Sequence, residues 1–266
     1  MREETIGTAV ENVSRVVLDA LARGEAPTAD ALRLLLRGYA ATGRDDLRDA
    51  LESGLAHGLE IAADSTSESA PPWLVLCAEA AEASDDTRLR DAASQLASKA
   101  KLIWGATRSV GLAARSVDAC LRANLEVASA VDELERLVAA AYTPGEGIAG
   151  SPDDEMAVAS MLLTAFFVTG RLPYAMLAEE LVRHACGTFM AAASLPFALG
   201  CVTSGVLSRM AALHRDEDYR AAAVLAPGAD YAADAAVILE RLAPDAPGHG
   251  LAGAAYGLAA GELSVL

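Results

Sequence analysis

One pattern recurs along this chain: an apolar helix, a short break at a small residue, then an amphipathic helix. In "LLLRGYAATGRDDLRDALESGLAHG" (34 to 58) the break is at Gly43, and Leu47 and Ala50 open the second helix. In "VLCAEAAEASDDTRLRDAASQLASKA" (75 to 100) it is at Ser84, followed by Leu89 and Ala92. "LLTAFFVTGRLPYAMLAEELVRHA" (162 to 185) breaks at Gly170, with Tyr174 and Ala178 beyond it. "SRMAALHRDEDYRAAAVLA" (208 to 226) breaks at His214, with Tyr219 and Ala222 beyond it. The breaks are about 41, 86 and 44 residues apart, so the middle gap hides a further copy, centred near residue 127. "DACLRANLEVASAVDELERLVAAAY" (118 to 142) supplies it, as two helices predicted to meet near Ser129.

Two helices stand outside these five hairpins. Residues 3 to 23 carry Ile6, Val10, Val13, Val17 and Leu21 at helical spacing. Residues 250 to 265 form an apolar, small-residue segment. An open solenoid needs polar capping repeats, and here the last segment is hydrophobic. Pairing the first and last helices gives a sixth hairpin and a closed ring of about twelve helices, in one domain over 1–266. The alternative is an open α-solenoid of tetratricopeptide or HEAT kind.

Composition agrees with an all-α chain. Hydrophobic residues make up 53%, enough for a sizeable core, and Asn-Gly and Asp-Gly hairpin turns are missing. The net charge of -16 disfavours nucleic acid and anionic membrane surfaces, both of which need clustered Lys and Arg. "MREETIGTAVENVSR" has no apolar core of a secretory signal, and no apolar run is long enough to span a bilayer. Cys77, Cys120, Cys186 and Cys201 are widely spaced, as expected for buried free thiols of a cytoplasmic protein. No metal-ligand spacing or cofactor motif is present, so neither is expected.

The hairpins "LLTAFFVTGRLPYAMLAEEL" and "YAATGRDDLRDALE" resemble those of (α/α)6-toroid proteins. That superfamily includes six-hairpin glycosidases, N-acylglucosamine 2-epimerases and the toroid domain attached to a thioredoxin-like domain. The last is the nearest in character, but Cys-x-x-Cys is absent, so no redox role carries over. The resemblance covers most of the chain and rests on packing motifs. It implies a substrate pocket at the rim where the inner helices begin.

The more apolar first helix of each hairpin is predicted to line the ring, with the charged second helix facing water. Longer connections (63–72, 104–112, 142–154, 187–196, 244–250) then share one rim. The richest, "YTPGEGIAGSPDDEM", offers Tyr142, Glu146, Asp153, Asp154 and Glu155. Glycoside chemistry needs a neutral acid beside an ionised carboxylate, which makes Asp153 and Asp154 the candidate catalytic pair. The same Ser151-Pro152-Asp153-Asp154 also reads as a helix-capping box. Trp73, Trp104, Arg108 and His249 are further rim candidates for a sugar-like ligand, although Trp73 after Pro71-Pro72 equally reads as a packing wedge. "DDLRD" (45 to 49) fits the magnesium-diphosphate motif of isoprenoid synthases, but it directly follows Gly43, where acids favour a helix start.

Three functions therefore stand open: a small-sugar hydrolase or epimerase, a non-catalytic ligand- or protein-binding toroid, and a diphosphate binder.

Overall fold

The computed structural model describes residues 2–66, 68–189, 195–222 and 228–265. Within them the chain is all-α, with thirteen α-helices and one two-stranded hairpin. In order these are α1 (Arg2–Ala22), α2 (Ala29–Thr42), α3 (Asp45–Asp64), α4 (Ala70–Ser84), α5 (Thr87–Lys101), α6 (Val110–Arg122) and α7 (Val127–Ala141). After β1 (Tyr142–Thr143) and β2 (Gly147–Ile148) come α8 (Pro152–Thr169), α9 (Leu172–Phe189), α10 (Phe197–Leu213), α11 (Glu217–Ala222) and α12 (Tyr231–Leu242). A 3₁₀ turn (Ala246–Gly253) leads into α13 (Ala254–Ser264). No described helix is long and apolar enough to cross a membrane.

Local chemistry sets the helix boundaries. Thr28, Asp86, Ser109 and Asp230 each cap a helix by accepting from a first-turn backbone N–H. Gly43 and Gly170 end α2 and α8 in the left-handed region, at φ 67° and 69°, where a β-carbon is costly. The hinges at 43, 84, 170 and 214 fall where the sequence places them. The third hairpin turns earlier than expected, at residues 123 to 126, because Glu126 takes a left-handed conformation (φ 54°) immediately before α7. The glycine-rich 142–148 segment is an antiparallel β-hairpin, pairing Tyr142 with Ile148. The end of the fourth repeat motif (223–226) lies outside the described residues, as do residues 190–194 of the 187–196 connection.

Packing separates two kinds of helix. On α8 every side chain from Glu155 to Ala165 is buried except half-buried Ser160, so this helix is enclosed on nearly all sides. On α5 only a stripe of Leu89, Ala93, Leu96, Ala97 and Ala100 is buried, the signature of an outer helix. Contacts run from α2 to α4, α6, α8, α10 and α13, and α13 in turn packs against α2. At the two ends of the chain, α1 packs against α13 and the preceding 3₁₀ turn. The fifth hairpin pairs α10 with α12. It is tied to α9 through Glu179, which is 1% exposed and accepts from Tyr231 Oη at 2.8 Å, with His214 Nε2 2.9 Å away.

Candidate functional site: the central cavity

A cavity of about 390 Å³ lies among α2, α4, α6, α8, α10 and α13, and each of these helices contributes to its wall. That volume falls in the range of small-molecule pockets. The walls are mainly apolar (Val75, Ala119, Ala157, Val206, Leu258 and others), with no aromatic side chain among the lining residues. Into this setting the same helices place Asp30, Arg33, Arg115, Asp118, Arg122, Arg209 and Glu262. Ionised groups do not belong on an apolar wall unless they are paired or have something to bind.

Most of them are paired. Arg33 grips Glu79 through Nε (3.1 Å) and a terminal nitrogen (2.8 Å), and also reaches Asp30 at 3.4 Å. Arg115 pairs with Asp153 at 2.9 Å. Arg122 pairs with Asp118, one turn earlier on α6, also at 2.9 Å. Asp118 further accepts from the hydroxyls of Ser160 (3.2 Å) and Thr164. Burial favours the neutral form of Asp118, but the charges of Arg122 and Arg209 and these donors outweigh it and keep the carboxyl ionised.

Arg209 is the exception. Its guanidinium donates to Ser160 O (3.3 Å), Ser160 Oγ (3.1 Å) and Thr164 Oγ1 (2.8 Å), all neutral acceptors. Among the described residues it makes no carboxylate ion pair. Burial, reinforced by the neighbouring charge of Arg122 and only partly offset by Asp118 and Glu262, lowers it from the usual arginine range to about 10. It remains a cation at neutral pH, held in place by hydroxyls, with the charges of Asp118 and Glu262 near enough to favour it but neither in direct contact.

The residues that the sequence singles out lie elsewhere. Asp154 completes the capping box of α8, accepting from Ser151 N (3.0 Å) and Ser151 Oγ (2.8 Å), and from Gly111 N of α6 at 2.9 Å. Its partial burial acts upward, yet these donors and Arg115 bring it below the ordinary carboxylate range. Asp153 sits beside it in the exposed pair with Arg115. Trp73 is 6% exposed, with its ring over Gly58 of α3, and works as a wedge between α4 and α3. Half-buried Trp104 has a buried Nε1 without a partner among the described residues, and Lys101 Nζ lies 5.8 Å from its ring centroid. Tyr142 donates to Glu180 at 2.7 Å, whereas Glu146 and Arg108 are exposed. His249 stacks on Phe197 with ring centroids 3.7 Å apart. Of these side chains, Asp153 reaches the cavity wall through its pair with Arg115. Asp45, Asp46 and Asp49 form surface ion pairs with Arg44 and Arg48 on the outer helix α3.

Among the described residues no three His, Cys, Asp or Glu side chains are grouped to hold a metal ion. Burial pushes the thiols of Cys77 up to about 11 and of Cys120, Cys186 and Cys201 up to about 12, so none is a ready nucleophile.

Asp118, Arg122, Arg209 and Glu262 escape a reading that looks for loops. Their signal is a different one: single charges inside helices otherwise apolar enough to be inner, as in "VLSRMAAL" and "AAGELSVL". Compared with known proteins, the chain matches no family model, no curated protein and no solved structure.

Proposed function

We propose that this chain is a closed (α/α)6 toroid whose central cavity binds a small anionic molecule, with Arg209 as the anchor. The observation that carries the reading is a buried guanidinium with no direct carboxylate partner. Every other cavity arginine has a carboxylate partner, and an unpaired buried charge costs several kcal/mol unless a partner completes it. Serine and threonine hydroxyls hold the Arg209 fork in one orientation, which suits two-pronged recognition of a carboxylate or phosphate. The passage of contacts from α13 back to α2, and the pairing of α1 with α13, support closure over an open solenoid.

Isothermal titration and thermal shift against small carboxylates, phosphates and neutral sugars test this. Anions are expected to bind and raise Tm, neutral sugars are not, and Arg209→Met should abolish the response. Binding unchanged in Arg209→Met removes the reading.

A second function, a hydrolase or epimerase on a small sugar, draws support from the carboxylates Asp30, Asp118 and Glu262 on the same wall. Weighing against it are the absence of an aromatic platform from that wall and the firmly ionised state of Asp118. Turnover of a sugar substrate by the wild type, lost in Glu262→Gln, would favour it.

A further inference from the structure

The position of Glu262 says more about the ligand than Arg209 alone does. Gly205 stands one helical turn before Arg209 on the same face of α10. A β-carbon at Gly205 would meet Glu262 Oε2 at 3.1 Å, so the carboxylate from α13 lies directly against α10 at that level. The site thus presents a cation from α10 and an anion from α13 on one cavity wall, close enough for each to feel the other's charge. They do not hydrogen-bond to each other. Arg209 is turned towards Ser160 and Thr164, and the ion-pair partner of Glu262 is Arg37, at a loose 3.8 Å. Opposite charges that share a cavity without closing on each other leave room for a bridging molecule that satisfies both.

Resting on the anion-binding reading above, we propose that the cavity recognises an amino acid with an apolar side chain: its carboxylate on Arg209, its ammonium on Glu262 and its side chain against Val75, Val206 and Leu258. The pairing of charges suits this class. An amino acid carries a carboxylate and an ammonium on one carbon, so a single small molecule offers an acceptor to Arg209 and a donor to Glu262. The chemistry of the walls also selects. A phosphate dianion would face Asp30, Asp118 and Glu262 with one arginine free of a direct carboxylate partner to hold it. A polyol would find apolar walls and no ring to stack on. A plain fatty carboxylate would satisfy Arg209 but leave Glu262 facing an apolar chain.

Titration of the full chain with four matched pairs tests this: valine, leucine, methionine and phenylalanine, each beside its deaminated acid, with inorganic phosphate as a fifth probe. At least one amino acid should bind about tenfold more tightly than its deaminated partner, the worth of one charged hydrogen bond. Glu262→Gln should remove that preference, and Arg209→Met should weaken both members of the pair, with the circular dichroism spectrum unchanged. If the deaminated acids bind as well as the amino acids, or if Glu262→Gln leaves the preference intact, the amino-acid assignment falls and the anion reading stands. Phosphate binding without any amino acid likewise overturns the amino-acid assignment alone. If wild type binds no anion at all, both fall.

Discussion

Arg209 and Glu79 show two ways in which one side chain couples stability to charge here. Arg209 is a cation whose burial penalty is only partly offset by the nearby charges of Asp118 and Glu262, with no carboxylate in direct contact, so it should cost the empty protein stability. Arg209→Met is therefore expected to raise the unfolding free energy of the unliganded protein by about 1–2 kcal/mol while removing anion binding. Urea titration with and without ligand reads both effects, and a destabilised Arg209→Met would mean that the guanidinium is structural. Glu79 lies at the opposite extreme. Burial pushes its carboxyl up, but the hydrogen bonds and charge of Arg33, joined by Arg37, prevail and hold it near 2, against an ordinary 4.5. Because the folded value lies below the unfolded one, the stabilisation is complete above about pH 5 and fades as pH falls towards 2. It amounts to about 3 kcal/mol. The urea midpoint of the wild type should drop steadily across that window. Glu79→Gln should start lower at pH 7, because Arg33 is left buried without its partner, and should show a shallower drop.

At the level of elements, the hairpins are legible in the sequence because everything that makes them is local. The glycine caps at Gly43 and Gly170 and the Ser151–Asp154 box need only a few consecutive residues. Even so, the turn chemistry of Glu126 and the 142–148 β-hairpin are missed, since neither carries the usual Asn-Gly or Asp-Gly signal. The cavity is harder to see. Asp118, Arg209 and Glu262 come to one cavity only once α6, α10 and α13 have been packed together, and no local window contains that geometry. The acids at the start of α8 are conspicuous for the opposite reason: they are close together because a helix begins there. Asp154→Ala therefore tests the cap. It should cost about 1 kcal/mol of stability by freeing Ser151 and Gly111 N–H groups, and leave ligand affinity within about twofold, since Asp154 is outside the cavity wall. Chemical denaturation beside titration separates the two. A large loss of binding or turnover at unchanged stability would make Asp154 a catalytic candidate again.

For the whole molecule, the decisive contact is the one that joins the last helix to the second, because the cavity has a complete wall only while α13 stays against α2 and α10. Glu262 and Leu258 come to the cavity on α13, whereas Asp30 and Arg33 come on α2. The two helices approach closely at Gly257, where a β-carbon would come within 2.6 Å of Leu34 Cδ1, with Cδ2 and Cγ at 3.1 and 3.5 Å. Leu34 is 6% exposed and has little space into which to withdraw. Two opposing effects follow from adding a side chain. Removing a helical glycine favours the helix by up to about 1 kcal/mol, while forcing atoms into a packed seam costs about 1–3 kcal/mol. Alanine brings the smaller clash and should come out near neutral. Valine, with two γ-methyls directed at Leu34, should destabilise by about 1–2 kcal/mol net. If α13 closes the ring, the damage from Gly257→Val should not stay local. Amide exchange should accelerate in α1 and α2 as well as in α13, and anion affinity at Arg209 should fall although Arg209 is on another helix. In an open solenoid the last helix frays alone, so faster exchange confined to α13 with unchanged binding would count against closure. Hydrogen-exchange mass spectrometry of wild type and Gly257→Val, each with and without ligand, distinguishes these outcomes in one experiment.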